Sequence, residues 1–437
     1  MKPINILCTG CAAMLLLSVV LLLSQKFSYD TEHTVLRVKV SEPSSAVRKE
    51  EEKNQAIDFI VEEEIVEPSF PVKLKYNAYP MTLSYVVCEG DTNIHALPSQ
   101  DAKLLRTAQK WEKLQYIESI TFFKGVKRST GEKWYHVYWY ENEDGEVFAD
   151  GSGQSQQGEG KNTLKKVFGF VGSDFASRRY FDFHQMEEKI QKLEGENKEG
   201  NLTYISNYKN YYGLPPLCKG KEVDEGGTPR SQSAPGYFSA TKNSSFIYIP
   251  DGTLVKCLEY VNGFWHVRLV QNETQYFVPE RYILRKEALT TLSKIIVIDR
   301  KNQNITSFEK YEGNWQITSC SLATTGTTNQ YAQPTPLGCY FVIEKKPQFY
   351  YIKDGTDEIQ GYAPYTLRFC GGAYIHGVSV SYKWENGKRI DPGLKEFSSS
   401  IGTVPLSHKC VRNYTSHAKF LYDWYTQNET VVLVIEP

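Results

Sequence analysis

Ser407-His408-Lys409-Cys410-Val411-Arg412 sets an imidazole, a thiol and a guanidinium at alternate positions. A second imidazole, His376, lies upstream in Tyr374-Ile375-His376-Gly377. A cysteine thiolate is a strong nucleophile, and a nearby imidazole can take the thiol proton and stabilise the charge. These residue types therefore make Cys410 a candidate nucleophile. A second reading stands beside the first, because a lone cysteine is commonly a small buried hydrophobe. Arg412 likewise has two readings, a bidentate grip on a substrate carboxylate or a structural salt bridge. Zinc is a poor fit, since a structural site wants four ligands and Cys410, His408 and His376 have no fourth nearby in sequence.

The elements that would carry these side chains are short and β-rich. Ser293–Asp299 reads as a buried strand, and Gly313–Ser319, Tyr340–Ile343 and Val431–Ile435 as further strands. Tyr374–His376 closes another strand, which sets His376 at a strand edge before Gly377. Lys383–Glu396 is charged and glycine-containing, so it reads as a surface loop or hairpin. Ser416–Trp424 has apolar residues at Ala418, Leu421 and Tyr422, which fits a short helix just after the thiol.

Upstream, the 437-residue chain divides by composition. Residues 4–24 carry no charge and are long enough to span a bilayer, so 1–25 is expected to be an uncleaved membrane anchor; a cleaved signal peptide is the rival. Residues 26–75 contain Glu50-Glu51-Glu52 and Glu62-Glu63-Glu64 and few aromatics, the composition of an acidic linker. Residues 76–172 and 229–287 look like two β-rich modules, separated by a helical linker region at 173–228 whose helix is expected around His184–Leu193. The modules share a local pattern: Lys133-Trp134-Tyr135-His136-Val137 aligns with Gly263-Phe264-Trp265-His266-Val267. Trp134 and Trp265 are read as barrel core ahead of ligand contacts. The formal net charge is −1, and no nucleic-acid module signature is present, so nucleic acid is not an expected partner. The one CxxC pair among the nine cysteines, Cys8 and Cys11, lies in the apolar run at 4–24, and the other seven are scattered, which suggests mostly free thiols.

Four segments in order resemble the L,D-transpeptidase catalytic domain of bacterial cell-wall enzymes. They are Pro334-Thr335-Pro336-Leu337-Gly338-Cys339-Tyr340-Phe341-Val342-Ile343, Ile375-His376-Gly377, Ile401-Gly402 and Ser407–Arg412, followed by Ala418–Trp424 in the place of the family's helix. The resemblance covers 290–437. Two departures stand out: Lys409 replaces the glycine of the family's S-H-G-C, and extra residues lie between Gly377 and Ile401. The two upstream modules resemble the SH3-like modules that accompany such enzymes. The resemblance implies a mainly β protein: an N-terminal transmembrane helix, two small SH3-like barrels and a C-terminal β-sandwich-like domain with a short helix.

The implied activity is peptidoglycan cross-linking or remodelling through a cysteine thioester, with no cofactor. Stem peptides are the implied partners. The implied location is the bacterial cell envelope, single-pass in the cytoplasmic membrane with the catalytic domain outside. The alternatives are a non-catalytic wall-binding protein and an L,D-carboxypeptidase that uses water. By position, Cys410 is the nucleophile, His376 the proton acceptor and donor, and His408 a residue that shapes the pocket and stabilises the intermediate. The backbone N–H groups of Lys409 and Cys410 would form the oxyanion hole. Arg412, Ser407, Gly377 and Tyr365 are the implied substrate-binding residues.

Overall fold

The computed structural model describes residues 58–62, 67–78, 83–123, 131–143, 145–148, 164–284 and 289–437. The apolar run at 4–24 lies outside them. No helix among the described residues is long and apolar enough to cross a membrane. The chain forms two compact units: residues 1–65 with 82–180, and residues 66–81 with 181–437.

The first unit is a single antiparallel sheet of β1 (Asp58–Glu62), β2 (Ser84–Cys88), β3 (Thr92–His95), β4 (Leu104–Ala108), β5 (Lys113–Phe123), β6 (Gly131–Glu141), β7 (Val147–Phe148), β8 (Lys165–Gly172) and β9 (Ala176–Tyr180). The order is β4-β3-β8-β6-β5-β2-β9, with β1 on β5 and β7 on β6. Two boundaries differ from expectation. The module runs on to Tyr180, because β9 pairs with β2. Part of the stretch read as linker is strand: β1 pairs with β5 from Asp58↔Phe123 to Glu62↔Ser119. A strand needs no core of its own where a neighbouring strand supplies its hydrogen bonds, so acidic composition did not forbid it.

The second unit opens with α1 (Phe183–Glu199), longer than its apolar rhythm suggested. Asp182 caps it by accepting from the Gln185 N–H, and Met186, Ile190 and Leu193 are buried as the spacing requires. A six-stranded antiparallel sheet follows, built from β10 (Leu202–Tyr204), β11 (Ser233–Tyr237), β12 (Phe246–Pro250), β13 (Leu254–Val261), β14 (Phe264–Leu269) and β15 (Gln275–Pro279), in the order β10-β13-β14-β15-β11-β12.

The pattern shared by the two modules has a common geometry. His136 on β6 lies between Glu118 on β5 and Phe170 on β8; His266 on β14 lies between Glu259 on β13 and Phe277 on β15. The imidazoles stack on their phenylalanines with ring centroids 4.5 Å apart in both cases, and each Nδ1 faces its glutamate. Both glutamates follow a register shift in their strand. Trp134 is buried core, while Trp265 packs half-buried against its module's core.

The C-terminal sheet is built from β16 (Lys294–Asp299), β17 (Asn304–Tyr311), β18 (Asn314–Thr324), β19 (Gly338–Phe341), β20 (Glu344–Ile352), β21 (Ile359–Cys370), β22 (Ala373–His376), β23 (Val380–Ser381), β26 (Val411–Asn413) and β27 (Thr430–Ile435). A separate two-stranded hairpin, β24 (Lys383–Glu385) with β25 (Lys388–Ile390), accounts for the charged insertion. The order β19-β27-β16-β17-β18-β26-β22-β21-β20 bends so that its two halves share one core. Ile296, Ile305 and Val432 from one half meet Phe369, Ile375 and Val411 from the other, with Leu421 and Trp424 of α2 (Thr415–Trp424). The fold is thus mainly β, with a β-sandwich-like C-terminal domain.

Candidate active site

Strand register brings the thiol and the imidazole to one place. The short strand β26 lies between β18 and β22. It runs parallel to β22, with Ile375 opposite Val411 and His376 opposite Arg412. Cys410 immediately precedes β26 and therefore sits at the level of Tyr374. The residues are far apart in sequence, yet pairing leaves them no other relative position.

The segment before Cys410 is held by its carbonyls. Ser407 is buried, and its Oγ donates to the Cys410 carbonyl. Thr335 Oγ1 donates to Lys409 O at 2.9 Å, and the Gln333 N–H donates to His408 O at 3.1 Å. In a trans peptide the N–H points opposite to the carbonyl. Fixing the His408 and Lys409 carbonyls therefore turns the N–H groups of Lys409 and Cys410 the other way, as a pair. Lys409 has φ 157°, inside the positive range that side chains rarely adopt and glycine tolerates. Its position is therefore one that favours glycine, and the lysine is carried there against that preference.

His376 is buried, and its Nδ1 lies 2.5 Å from Gly377 O. A carbonyl can only accept, so Nδ1 carries the hydrogen and Nε2 keeps its lone pair. Burial pushes the imidazole down to about 3, the Arg412 charge adds to this, and the bond to Gly377 opposes it. The Cys410 thiol is pushed up to about 11 by burial, against the pull of the Tyr374 N–H, Lys409 and Arg412. Its Sγ donates to Gly372 O at 3.8 Å. At neutral pH the thiol is thus protonated and the imidazole uncharged.

Arg412 shares this space, since its charge acts on both Cys410 and His376. Its Nε is buried without a hydrogen-bond partner, so the guanidinium has an unused donor beside the thiol. Gly377 donates its N–H to Pro364 O at 2.9 Å, and a Cβ there would lie 2.8 Å from Thr415 Oγ1. Its role in the structure is close packing against Thr415 and Pro364. Tyr365 adopts φ 53° and lies against Tyr422, with ring centroids 5.9 Å apart.

The His408 ring is not brought to the thiol. It is exposed and pairs through Nε2 with Asp354 Oδ2 at 3.0 Å. What His408 contributes to the nucleophile segment is its carbonyl. Thr335, Gln333 and Gly372 are supports that sequence reasoning did not single out. Thr335 lies within the quoted motif, and its hydroxyl was the available signal. Gln333 and Gly372 act through backbone groups, which every residue type carries.

Residues 293–434 match the family model of YkuD, the L,D-transpeptidase catalytic domain. The match covers the C-terminal sheet, α2 and every site residue named above from Thr335 onward. Comparison with curated proteins finds no match. Among solved structures, a fused Zn-dependent amidase/peptidase/peptidoglycan-binding protein from Clostridium acetobutylicum is 19% identical, covers 33% of this chain and 52% of its own, and has a TM-score of 0.23. The chain thus spans about half the length of that protein. An L,D-transpeptidase from Mycobacterium smegmatis is 15% identical over 46% of this chain and 77% of its own, with a TM-score of 0.25. L,D-transpeptidase 1 of Mycobacterium tuberculosis is 16% identical over 37% of this chain and 77% of its own, with a TM-score of 0.23.

Proposed function

We propose that the chain is a peptidoglycan L,D-transpeptidase that works through a Cys410 thioester. The observation that carries this reading is the parallel pairing of β22 with β26, which sets a neutral His376 with a free Nε2 on the strand beside Cys410. The donor is a stem tetrapeptide, cut before its terminal D-alanine. The thiol turns from Gly372 O to His376, gives its proton to Nε2 and forms an S–C bond to the carbonyl. The C–N bond breaks, and D-alanine leaves with that proton. A side-chain amine of a second stem then attacks the thioester, and its proton returns through His376 to sulfur. The paired N–H groups of Lys409 and Cys410 are assigned to the oxyanion. The unused Nε of Arg412 is assigned to a substrate carboxylate.

A neutral base suits this route, because an imidazolium could not accept the proton. Incubation with a carbapenem followed by intact-mass measurement tests the assignment. Wild type should gain one adduct, mapped to Cys410; Cys410→Ala should gain none and melt unchanged. An adduct on the variant would move the nucleophile elsewhere. Tetrapeptide muropeptides then separate amine from water as acceptor: cross-linked dimers support transpeptidation, whereas tripeptides alone support a carboxypeptidase. The apolar run at 4–24 is assigned to a membrane anchor that keeps the domain outside the cell. Protease shaving of intact cells checks it, and a soluble form beginning after Ser24 overturns it.

A further inference from the structure

Gln232 reaches the nucleophile from outside the matched domain. It lies at the foot of β11, in the six-stranded module, 177 residues from Lys409. Its Oε1 accepts the Gly372 N–H at 3.0 Å and faces Lys409 Nζ at 3.4 Å. Gly372 in turn offers the carbonyl that receives the Cys410 thiol. The turn joining β21 to β22 is moulded on this side chain. A Cβ on Gly371 would lie 2.7 Å from Gln232 Oε1, and one on Gly372 would lie 3.2 Å from its Nε2. Gly371 also has φ +49°, so glycine is needed there on both counts.

Gln232 is itself fixed. Its carbonyl accepts from Asp251 N at 2.9 Å, and its N–H donates to Pro229 O at 3.1 Å. Asp251 is ion-paired with Arg368 on β21 at 2.6 Å. The same module segment touches the other side of the nucleophile loop, where Gln333 Nε2 donates to Gly227 O at 3.4 Å.

From this geometry we propose that Gln232 is a positioning residue for Cys410, fixing the Gly372 carbonyl that faces the thiol and holding the Lys409 ammonium beside it. The inference rests on the reading of Cys410 as nucleophile. A neutral amide oxygen suits both roles, since it accepts from two donors at once and adds no negative charge near the sulfur. On this view the domain at 290–437 lacks part of its own site, and the six-stranded module completes it. The groups facing the thiol are Lys409 and Arg412 from its own segment, His376 and Tyr374 from β22, and, past Gly372, Cys370 with Asp251 and Arg368 around it.

The test is the pH profile of iodoacetamide alkylation at Cys410, read by peptide mapping on the full chain. Wild type, Gln232→Leu and Gln232→Glu are compared, with thermal melting alongside. Gln232→Leu releases both donors; losing the fixed Lys409 ammonium outweighs losing the long 3.8 Å thiol–carbonyl contact, so the apparent thiol pKa should rise by about one unit, making alkylation about tenfold slower at neutral pH. Gln232→Glu keeps both hydrogen bonds but neutralises Lys409; it should melt like wild type and still alkylate about tenfold more slowly. If Gln232→Leu fails to fold, Gln232→Glu decides. Wild-type profiles in the variants, or a lowered thiol pKa, overturn the proposal and leave Gln232 a structural brace. Alkylation requires no acyl transfer, so the two readings fail separately. A wild type that alkylates but takes no carbapenem sinks the transpeptidase function, while the Gln232 comparison still gives its answer.

Discussion

At Cys410 two opposing influences meet, burial that disfavours the thiolate and two cations that favour it. Burial is the larger, and the thiol stands near 11. Lys409, where the family resemblance expects glycine, is one of those cations. Lys409→Gly should therefore raise the thiol pKa and slow alkylation of Cys410 at neutral pH. A lower pKa with higher acylation would mean that Lys409 impairs the site. His376 and His417 are both buried and both pushed down to about 3 from the usual 6.5.

With depressed pKa values the folded state binds fewer protons than the unfolded chain, so the stability these histidines confer is complete above about pH 6.5 and falls as pH drops towards 3. Each contributes a slope of about 1.4 kcal/mol per pH unit inside that window. His417 lies in α2 between Ser319 and Asn413, away from the proposed reaction. His417→Gln should flatten the slope of urea-unfolding free energy between pH 5 and 6.5 while leaving acylation at pH 7 in place. An unchanged slope would mean that His417 is protonated in the folded protein.

At the scale of elements, α2 starts without help from its own cap, because Tyr414 makes no side-chain capping bond. The insertion that follows Gly377 supplies it. Glu396 accepts the Ser416 N–H at 2.9 Å and the Ser416 hydroxyl, and its carbonyl accepts the Thr415 N–H at 3.3 Å. A carboxylate at a helix N-terminus satisfies an orphan donor and opposes the helix dipole. Glu396→Ala should cost about 1 kcal/mol, read as a lower urea midpoint, and Glu396→Gln should recover part of it by keeping the acceptor. Equal loss in both variants would leave the charge as the whole contribution. The insertion, read from its charge as a surface loop or hairpin, is both a hairpin and a clamp on the helix behind the nucleophile.

At the scale of the second unit, the six-stranded module and the C-terminal domain are joined by buried polar groups. Asp251 has no exposed surface and pairs with Arg368, which also lies over the Tyr208 ring at 4.1 Å. Burial pushes the Asp251 carboxyl up, while Arg368 and two backbone N–H groups pull against it. Asp251 in turn raises the Arg368 guanidinium. The Arg368 direction agrees with the 2.6 Å contact, and the rise at Asp251 records the cost of desolvation. Removing one partner strands the other charge. Arg368→Met should destabilise the unit by about 3–5 kcal/mol, and adding Asp251→Asn should restore part of that, because an amide needs no counter-charge. Chemical denaturation of the double-mutant cycle checks it, and additive losses would show no coupling between the two.

Local pattern alone determined a good deal. Strand periodicity and the ordered segments around His376 and Cys410 located most strands of the C-terminal domain, the helix after the thiol and the two residues whose strands β22 and β26 pair. The Trp-His alignment marked a shared His–Phe stacking in the two sheets, since stacking and alternation act between near neighbours. Tertiary structure decided the rest. The His408 ring turned to Asp354 because an exposed loop carboxylate lay within reach, which spacing could not show. Residues 58–62 became strand because β5 offered them partners. Gln232 reached Lys409 across 177 residues through the packing of two sheets, and one side-chain amide leaves no periodic trace of such a contact.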